Sequence, residues 1–399
     1  MKILLVAERF WPEVGAAPSR LANMAEGLKN VGNEVDVLTS LPNYPKGKIF
    51  EGYRGCVCKH EVHNGVDLYR HWIYATVSKS AIARIINMFS FAITMWLFAF
   101  RVSKVRKYDA VVIQTPQLIV AVSAMWIFKG LYGKKCVLNV SDIWPSTAVD
   151  MGVMKVGSRS YKFLASCERY LYRKSDAVLG QSNEILDQVR KFPNKGNLFL
   201  YRNLQTYYMA YDYKERNETL KLVFSGMLGV AQDVAGIVNN VPFKEMGVEF
   251  HIFGAGKQLD EIQKYIKLHP DCNVFAHGFV PKEEIAVHLQ AMDVSIVPLV
   301  TRIRGAVPSK IYDTLPQGLP ILFCGGGEGA DFILSHDVGM ISEPGDYKGL
   351  TGNIIKMRDM SSEEYRKMSA NCIRISKDEL NFEKQLHECN QFLKSVLKP

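Results

Sequence analysis

The sequence lacks the cysteine and glycine patterns that define several common classes of protein. Its eight cysteines are scattered and no two CxxC motifs occur, so neither a zinc site nor a disulfide framework is predicted. The loop after the first strand holds one glycine, Gly15, where a dinucleotide-binding fingerprint would need Gly-x-Gly-x-x-Gly. Binding of a nicotinamide or flavin cofactor is therefore not expected. No signal peptide precedes the first strand, and a reducing cytoplasm is the expected compartment.

Acidic residues are nearly missing between Leu68 and Ser141. This stretch holds one acid, Asp109, against ten bases, in a chain whose formal net charge is +9. The asymmetry predicts an anionic partner, either nucleic acid or a lipid surface. Nucleic acid is disfavoured because the bases alternate with aliphatic residues rather than with exposed aromatic ones. The ten bases are Arg70, Lys79, Arg84, Arg101, Lys104, Arg106, Lys107, Lys129, Lys134 and Lys135.

No apolar run reaches the length of a typical membrane span. The sixteen residues between Arg84 and Arg101 carry no charge, which is short of the roughly 20 residues needed. A second apolar segment, Leu118 to Phe128, is shorter still. Three interpretations stay open: helices buried against a sheet, helices over about 79–107 that lie in the headgroup region of an anionic membrane, and a transmembrane hairpin.

Short apolar runs alternate with helical segments along most of the 399 residues, which is typical of parallel α/β sheets. The alternation stops at a polar, tyrosine-rich linker from Arg202 to Thr219 and then starts again. We therefore predict an α/β protein with two doubly wound, Rossmann-like domains, residues 1–205 and 206–375, that face each other across a cleft. A last helical segment, 376–399, is expected to return to the first domain.

The stretch RGAVPSKIYDTLPQG, from Arg304 to Gly318, carries the strongest functional signal. It lies between two buried apolar runs and reads as a loop followed by a short helix, with Pro308 suited to the first turn. The amides of that turn, together with Lys310, would bind an anion. Asp313 is one turn further on the same face, where a carboxylate could hold sugar hydroxyls. A phosphorylated sugar fits this pattern, and an ordinary amphipathic helix with a surface ion pair fits it equally well.

Other candidate residues follow predicted strands in the same way. The segment SGMLG supplies Gly226 and Gly229, and GAGK supplies Gly254 and Lys257. Glycines at such places let backbone amides approach a phosphate, although tight turns explain either loop alone. Asp142 comes directly after a predicted strand in the first domain, where it could hold a sugar hydroxyl or orient a nucleophile, or merely cap the next helix.

Taken together, these motifs resemble the retaining glycosyltransferases of family 4, which have the GT-B fold. Within that family the chain is most similar to the WbuB-like sugar transferases of bacterial surface-polysaccharide assembly. The pieces that carry the resemblance are FWPEVGAAPSRLANMAEGL, LPNYPKGKIFEGYRG, SDIWPSTAVDMG, SGMLGVAQDV and VPSKIYDTLPQGLPI.

The resemblance implies a nucleotide-sugar donor in the C-terminal domain and an acceptor mainly in the N-terminal one. It suggests a UDP-activated N-acetyl-6-deoxyhexosamine such as UDP-L-FucNAc, with GDP-fucose as the alternative, and transfer with retention and without a metal ion. The expected acceptor is a polyprenyl-diphosphate-linked saccharide of capsule, O-antigen or exopolysaccharide assembly. The expected location is peripheral, on the inner face of the cytoplasmic membrane.

The same resemblance assigns roles to single residues. Asp313 takes the place of the second glutamate of the family motif E-x7-E, and the first glutamate would fall at Gly305. Asp142 stands where many relatives have a histidine near the reaction centre, and Lys310 is expected to meet the leaving phosphate. The donor-binding set is Gly226, Gly229, Gln232, Gly254, Lys257, Pro308, Ser309, Asp313 and Glu328. The acceptor or N-terminal loop set is Gly15, Arg20, Asn43 and Tyr44.

Two other functions remain open on the sequence. A nucleotide-sugar epimerase on the same fold would need no acceptor surface, and the basic, apolar stretch from Lys79 to Lys107 argues against it. A membrane-associated scaffold without activity is conceivable because Gly305 replaces an acid.

Overall fold

The computed structural model of the protein describes residues 1–78, 80–193, 196–204 and 212–397. The chain divides into unit 1, which consists of Met1–Arg202 and Glu383–Pro399, and unit 2, which is Asn203–Phe382. The predicted boundary at Gln205 and Thr206 and the basic residue Lys79 lie outside the described residues.

Unit 1 is built on one eight-stranded sheet. Its strands are β1 (Lys2–Val6), β2 (Glu34–Ser40), β3 (Cys58–His63), β4 (Val66–His71), β5 (Ala110–Gln114), β6 (Lys135–Val140), β7 (Ala177–Gly180) and β8 (Leu198–Leu200). Their order across the sheet is β3-β4-β2-β1-β5-β6-β7-β8, and all neighbours are parallel except β3 and β4. The order reverses between β1 and β5, which makes their carboxyl ends the switch point of a doubly wound sheet.

The central strands of unit 1 are covered on both faces. Leu4 and Val6 of β1 belong to an apolar cluster that also contains Phe91 and Phe128, whereas Ile3 is buried but lies outside that cluster. Burial on both faces explains why these strands are continuous apolar runs rather than alternating ones. The helices are α1 (Ala16–Asn30), α2 (Ala81–Thr94), α3 (Trp96–Ala99), α4 (Val102–Val105), α5 (Leu118–Ala124), α6 (Ser146–Asp150), α7 (Arg159–Lys174) and α8 (Asn183–Arg190), and α5 continues as a π-helix, Met125–Leu131.

The segment Ile82–Ala99 is long and apolar enough, by length and composition, to cross a membrane, and 33% of it is buried. It is not one regular helix, because α2 ends at Thr94 and α3 begins at Trp96. Phe91, Met95 and Phe98 form its buried face, in the core of unit 1. The interpretation as helices packed against the sheet is therefore right for this face. The opposite face is apolar and exposed.

Unit 2 contains a six-stranded parallel sheet. Its strands are β9 (Lys221–Ser225), β10 (Glu249–Phe253), β11 (Val274–Gly278), β12 (Val294–Pro298), β13 (Ile321–Cys324) and β14 (Gly339–Ser342). The order is β11-β10-β9-β12-β13-β14, with the switch point between β9 and β12. The helices are α9 (Val234–Asn240), α10 (Leu259–Leu268), α11 (Lys282–Gln290), α12 (Ser309–Thr314), α13 (Glu328–Ser335), α14 (Tyr347–Asp359) and α15 (Ser362–Asp378).

Both faces of this second sheet are also covered. Leu222 and Phe224 of β9 pack in the main apolar cluster of unit 2, and Val223 between them packs with Phe253 and Leu289 on the other face. Two parallel α/β sheets of this kind confirm the predicted fold class.

The last helix, α16 (Phe382–Leu397), packs within unit 1 although it follows unit 2 in sequence. Leu386 lies so close to α1 that a β-carbon on Gly27 would be 2.4 Å from its Cδ1 atom. The side chain of Gln385 also pairs with the backbone of Arg202, accepting from its N–H at 2.8 Å and donating to its carbonyl at 2.9 Å. The end of the chain thus completes the first sheet domain.

Candidate functional site

The loops that follow β9, β10 and β12 come together at the carboxyl edge of the unit 2 sheet. This edge is where open α/β sheets bind ligands. Lys310 lies on α12, which follows the β12 loop, and its aliphatic chain lies against the backbone of Gly226. A β-carbon on Gly226 would be 3.1 Å from Lys310 Cε and 3.9 Å from Nζ. The structure therefore brings together two residues that the sequence separates by more than eighty positions.

The Lys310 ammonium donates to Asp313 Oδ2 at 3.0 Å. The Asp313 side chain is 15% exposed and that of Lys310 is 38% exposed, so the cation stays accessible beside its carboxylate. Lys310 and Asp313, which the sequence places one helical turn apart, thus form an ion pair in the structure. It places one positive and one negative group at the mouth of the same loop, as recognition of both a phosphate and a sugar hydroxyl would require.

Glycines make close packing of the first two loops possible. A β-carbon on Gly254 would lie 1.9 Å from the carbonyl oxygen of Gly226, and one on Gly256 would lie 2.4 Å from that of Leu228. The backbone of Gly226 donates to Phe253 O, and that of Leu228 donates to Ala255 O at 3.0 Å. The glycines therefore have a packing role, which is the alternative left open by the sequence, and the backbone of Gly226 stays partly exposed.

Gly229 and Gln232 form the turn that leads into α9. The Gln232 N–H donates to Gly229 O at 3.2 Å, and a β-carbon on Gly229 would be 3.0 Å from Gln232 Oε1. Asp233 follows with a positive φ of 47° and caps α9 through Gly236. Its carboxylate also accepts from Gln258 at 2.8 Å and from the Tyr347 hydroxyl. Asp233, whose side chain holds this loop, was not among the residues predicted from the sequence.

Gly305 explains the missing first acid of the family motif. It is buried and adopts a φ of 77°, a conformation that strains any residue with a β-carbon. A glutamate at this position would thus need a different loop conformation.

Pro308 precedes α12 with an ordinary φ of −57°. Ser309 begins this helix of six residues, whose first amides receive no side-chain cap.

Two further donor candidates lie on neighbouring loops. Lys257 is exposed in the turn before α10, and Glu328 opens α13 after Gly327, which has a φ of 70°. Arg302 was not predicted, yet its Cδ would be 3.5 Å from a β-carbon on Gly326, so this base lies beside the glycine loop after β13.

In unit 1, polar side chains gather at the carboxyl ends of β5, β6 and β7. Asp142 Oδ2 accepts from Ser141 Oγ at 3.0 Å, and the Gln114 amide lies 3.2 Å from the same hydroxyl. Asp142 does not cap α6, because no side chain caps that helix. The alternative of a simple capping role is therefore wrong.

Arg20 is buried beside this group. Its guanidinium binds the Gln181 carboxamide, whose oxygen, in the orientation that satisfies both groups, accepts from Nε at 2.7 Å and Nη1 at 2.9 Å. Burial lowers the pKa of Arg20 to about 10, and the nearby Asp142 and Tyr201 act in the opposite direction. Arg20 and Asp142 were predicted for different roles, and the fold makes them electrostatic neighbours.

The remaining predicted acceptor residues form a second group, on the loops after β1 and β2. The backbone N–H groups of Asn43 and Tyr44 both donate to Glu13 Oε1 at 2.8 Å. A β-carbon on Gly15 would be 3.6 Å from the Tyr44 ring, and the Arg9 guanidinium lies 4.3 Å from the centre of that ring. Glu13 and Arg9 were missed from the sequence, because nothing local marks a carboxylate that will bind a distant loop.

Within the described part of the chain, no group of three or more His, Cys, Asp or Glu side chains is arranged to hold a metal ion. Whether the reaction needs a metal stays a prediction.

The chain has two α/β units, each with its candidate binding loops at the carboxyl ends of the strands, as in proteins of the GT-B class. Solved structures confirm the predicted GT-B fold. The sucrose-phosphate synthase (tll1590) from Thermosynechococcus elongatus matches with a TM-score of 0.72 and 13% identity, over 99% of this chain and 98% of its own. Anabaena Alr3699/HepE, solved with UDP-glucose, matches with a TM-score of 0.67 and 15% identity, over 99% of this chain and 100% of its own. At such identities the likeness shows the fold alone.

Sequence comparison gives the family. Residues 15–196 match the glycosyl transferase 4-like domain, and residues 220–359 match the domain called glycosyl transferases group 1. The chain belongs to the GT-B glycosyltransferases that combine these two domains. A probable glycosyltransferase of Pseudomonas aeruginosa, WbjE, is 25% identical over 255 residues. The match covers 60% of this chain and 62% of that relative's length.

Proposed function

We propose that the protein transfers a sugar, with retention, from a nucleotide-sugar donor bound by unit 2 to a polyprenyl-diphosphate-linked saccharide bound by unit 1. The observation that carries the proposal is the contact of Lys310 with the backbone of Gly226, with Asp313 at 3.0 Å. An accessible ammonium beside uncovered backbone at a switch point is suited to a diphosphate, and the adjacent carboxylate is suited to sugar or ribose hydroxyls.

Glycosyl transfer has an oxocarbenium-like transition state, in which negative charge builds up on the departing diphosphate. In our proposal Lys310 and the backbone amides at the start of α12 stabilise this charge, and no divalent ion takes part. Preorganised donors of this type are typically worth about 10²–10³ in rate.

The proposed donor is a UDP-N-acetyl-6-deoxyhexosamine, and GDP-fucose is the alternative. UDP is favoured because a relative of the same fold has been solved with UDP-glucose. The proposed pathway is bacterial surface-polysaccharide assembly, which fits the matched domain families and the cytoplasmic, membrane-peripheral location that we expect.

Thermal unfolding in the presence of UDP, GDP, ADP and CMP tests donor binding, because a ligand of the native state stabilises it by mass action. We expect UDP to raise the melting temperature in buffer with EDTA. Transfer from radiolabelled UDP-sugars to a prenyl-diphosphate-linked monosaccharide then tests the activity. Absence of any nucleotide effect, or transfer that strictly requires magnesium or manganese, would contradict the proposal.

We also propose that unit 1 binds an anionic membrane through the exposed face of α2–α4, which we call the apolar ridge. Its apolar members are between 41% and 80% exposed, among them Ile82, Ile85, Ile93, Leu97, Phe100 and Val102. Exposed Arg84, Arg101, Arg106 and Lys107 flank them. Other bases of this region have roles within the fold, since Arg70 is fully buried and Lys129 pairs with Asp176.

Flotation with vesicles tests the apolar ridge. We expect the protein to bind vesicles that contain anionic lipid, and less strongly at high salt. The double variant Leu97→Glu and Phe100→Glu should lose most of this binding, whereas Val287→Glu, an equally exposed site in unit 2, should not. Equal binding by both variants would contradict this part of the proposal.

A further inference from the structure

Glu8 is a buried carboxylate at the switch point of the unit 1 sheet, two residues beyond the end of β1. Its backbone is held firmly, because its carbonyl accepts from Ser40 Oγ at 2.7 Å and from the Ser40 N–H at 3.3 Å. β1 is the central strand at which the order of the sheet reverses, so its carboxyl end borders the crevice in which such sheets bind ligands.

The carboxyl group of Glu8 differs from three other buried carboxylates of unit 1, each of which has a hydrogen-bond donor. Glu13 accepts from two backbone N–H groups, Asp36 accepts from Tyr108, and Asp176 accepts from Cys136 N. For Glu8, no hydrogen bond to the carboxyl oxygens is found among the described residues. The nearest cation, Arg9 Nε, is 3.9 Å away, which is too far for a hydrogen bond.

A buried carboxylate without hydrogen-bond donors is costly, and native proteins retain such groups mostly at functional sites. The cost disappears when a ligand supplies a donor. In unit 1 as proposed above, that ligand is a saccharide, whose hydroxyl groups are hydrogen-bond donors. We propose that the Glu8 carboxylate binds a hydroxyl group of the acceptor saccharide.

This inference rests on the proposed function and adds an acceptor-binding residue to it. Burial raises the pKa of Glu8 to about 7, with Glu13 acting in the same direction and Arg9 against it. Arg70, which donates to Ser40 O at 3.3 Å, is the other charged group held against this loop. The carboxylate is the stronger hydrogen-bond acceptor, so acceptor binding should strengthen as pH rises through about 7.

The test compares the full-length protein with Glu8→Gln, using a prenyl-diphosphate-linked monosaccharide as acceptor and a UDP-sugar as donor. At pH 8 we expect kcat/KM for the acceptor to fall by about tenfold to a hundredfold, the range for one charge-assisted hydrogen bond. KM for the donor should change less than about twofold. At pH 6 the difference between the two proteins should be about tenfold smaller than at pH 8, because a carboxyl with a pKa of about 7 is then only about one-tenth ionised.

Glu34→Gln is the matched control. Glu34 lies at the opposite, amino end of the same sheet, is 76% exposed and pairs with Lys2, so its loss should leave both kinetic constants unchanged. If wild-type protein transfers sugar and Glu8→Gln matches it at pH 8, this inference is wrong and the proposed function stands. If wild-type protein transfers no sugar at all, the proposed function fails first, and the role of Glu8 fails with it.

Discussion

Lys310 shows how much the role of one residue depends on its neighbours. The ammonium pairs with Asp313, its chain lies against Gly226, and its side chain is still 38% exposed. Arg302 adds a second base beside the next glycine loop. These groups place two bases at the carboxyl edge of the unit 2 sheet.

Replacing Lys310 with alanine should therefore lower kcat by about 10²–10³, because this removes the charge that we propose stabilises the departing diphosphate. The fold should survive, since the side chain is partly exposed and makes one ion pair. Steady-state kinetics and circular dichroism measure the two effects. Lys267→Ala, an exposed lysine on α10, is the control. Near-normal turnover of Lys310→Ala would refute the assignment.

The raised pKa of Glu8 also predicts how the free energy of unfolding depends on pH, which can be measured without any assay of activity. In the unfolded chain its pKa is near 4.5, and in the native state it is about 7. Between these values the unfolded chain releases a proton that the native state retains, so stability falls as pH rises from about 4.5 to 7 and then stays low. Glu8→Gln removes this loss. By urea unfolding, the variant should gain about 1–3 kcal/mol over wild type at pH 8 and about a quarter of that gain at pH 5. An equal difference at both pH values would contradict the raised pKa.

At the scale of elements, the unit 2 site is a contact between loops. The carbonyl of Gly226 occupies the space where a Gly254 side chain would be, and this contact fixes the β9 loop against the β10 loop. Gly254→Ala should separate the loops, which costs about 1–3 kcal/mol as in other overpacked sites, and should weaken UDP binding. Gly352→Ala, in α14, meets no atom within 4 Å and should stabilise the protein slightly. Urea unfolding and UDP titration compare the two variants, and equal UDP affinities would contradict the argument.

The sequence predicts the buried elements well and the solvated ones poorly. A continuous apolar run marks β5 (AVVIQ), whose five residues are all buried, because a strand covered on both faces is apolar on both. The hairpin of β3 and β4 was not predicted, since CKHEVH alternates between exposed and partly buried positions and carries no apolar period. The same limit applies to the site. Strand ends and the helix after β12 identify Asp142 and Lys310, whereas the contacts of Arg20 with Gln181 and of Lys310 with Gly226 are set by tertiary packing.

At the scale of the whole molecule, the chain leaves unit 1 at Arg202 and returns to it at Glu383. The returning helix α16 buries Leu386, Cys389 and Leu393 and stacks Phe392 on Phe199 at 5.3 Å. Asn390 accepts from the Asn33 amide at 3.1 Å. Unit 1 is therefore incomplete until the last residues of the chain are present, while unit 2 is one continuous segment.

Because α16 belongs to unit 1, a mutation in α16 and a ligand of unit 2 should change the stability of different units. Leu386→Ala leaves a cavity beside Gly27 and should cost unit 1 about 2–5 kcal/mol, as other buried leucines do. UDP, as a proposed ligand of unit 2, should stabilise unit 2. In calorimetry the variant should thus show an early transition that UDP does not move and a later one that UDP raises. His387→Ala, exposed on the same helix, should unfold like wild type. Binding stabilises only the cooperative unit that contains the binding site. If UDP raised the early transition of the Leu386 variant, the argument would be wrong: UDP would bind outside unit 2 as well, or the two units would unfold in one transition.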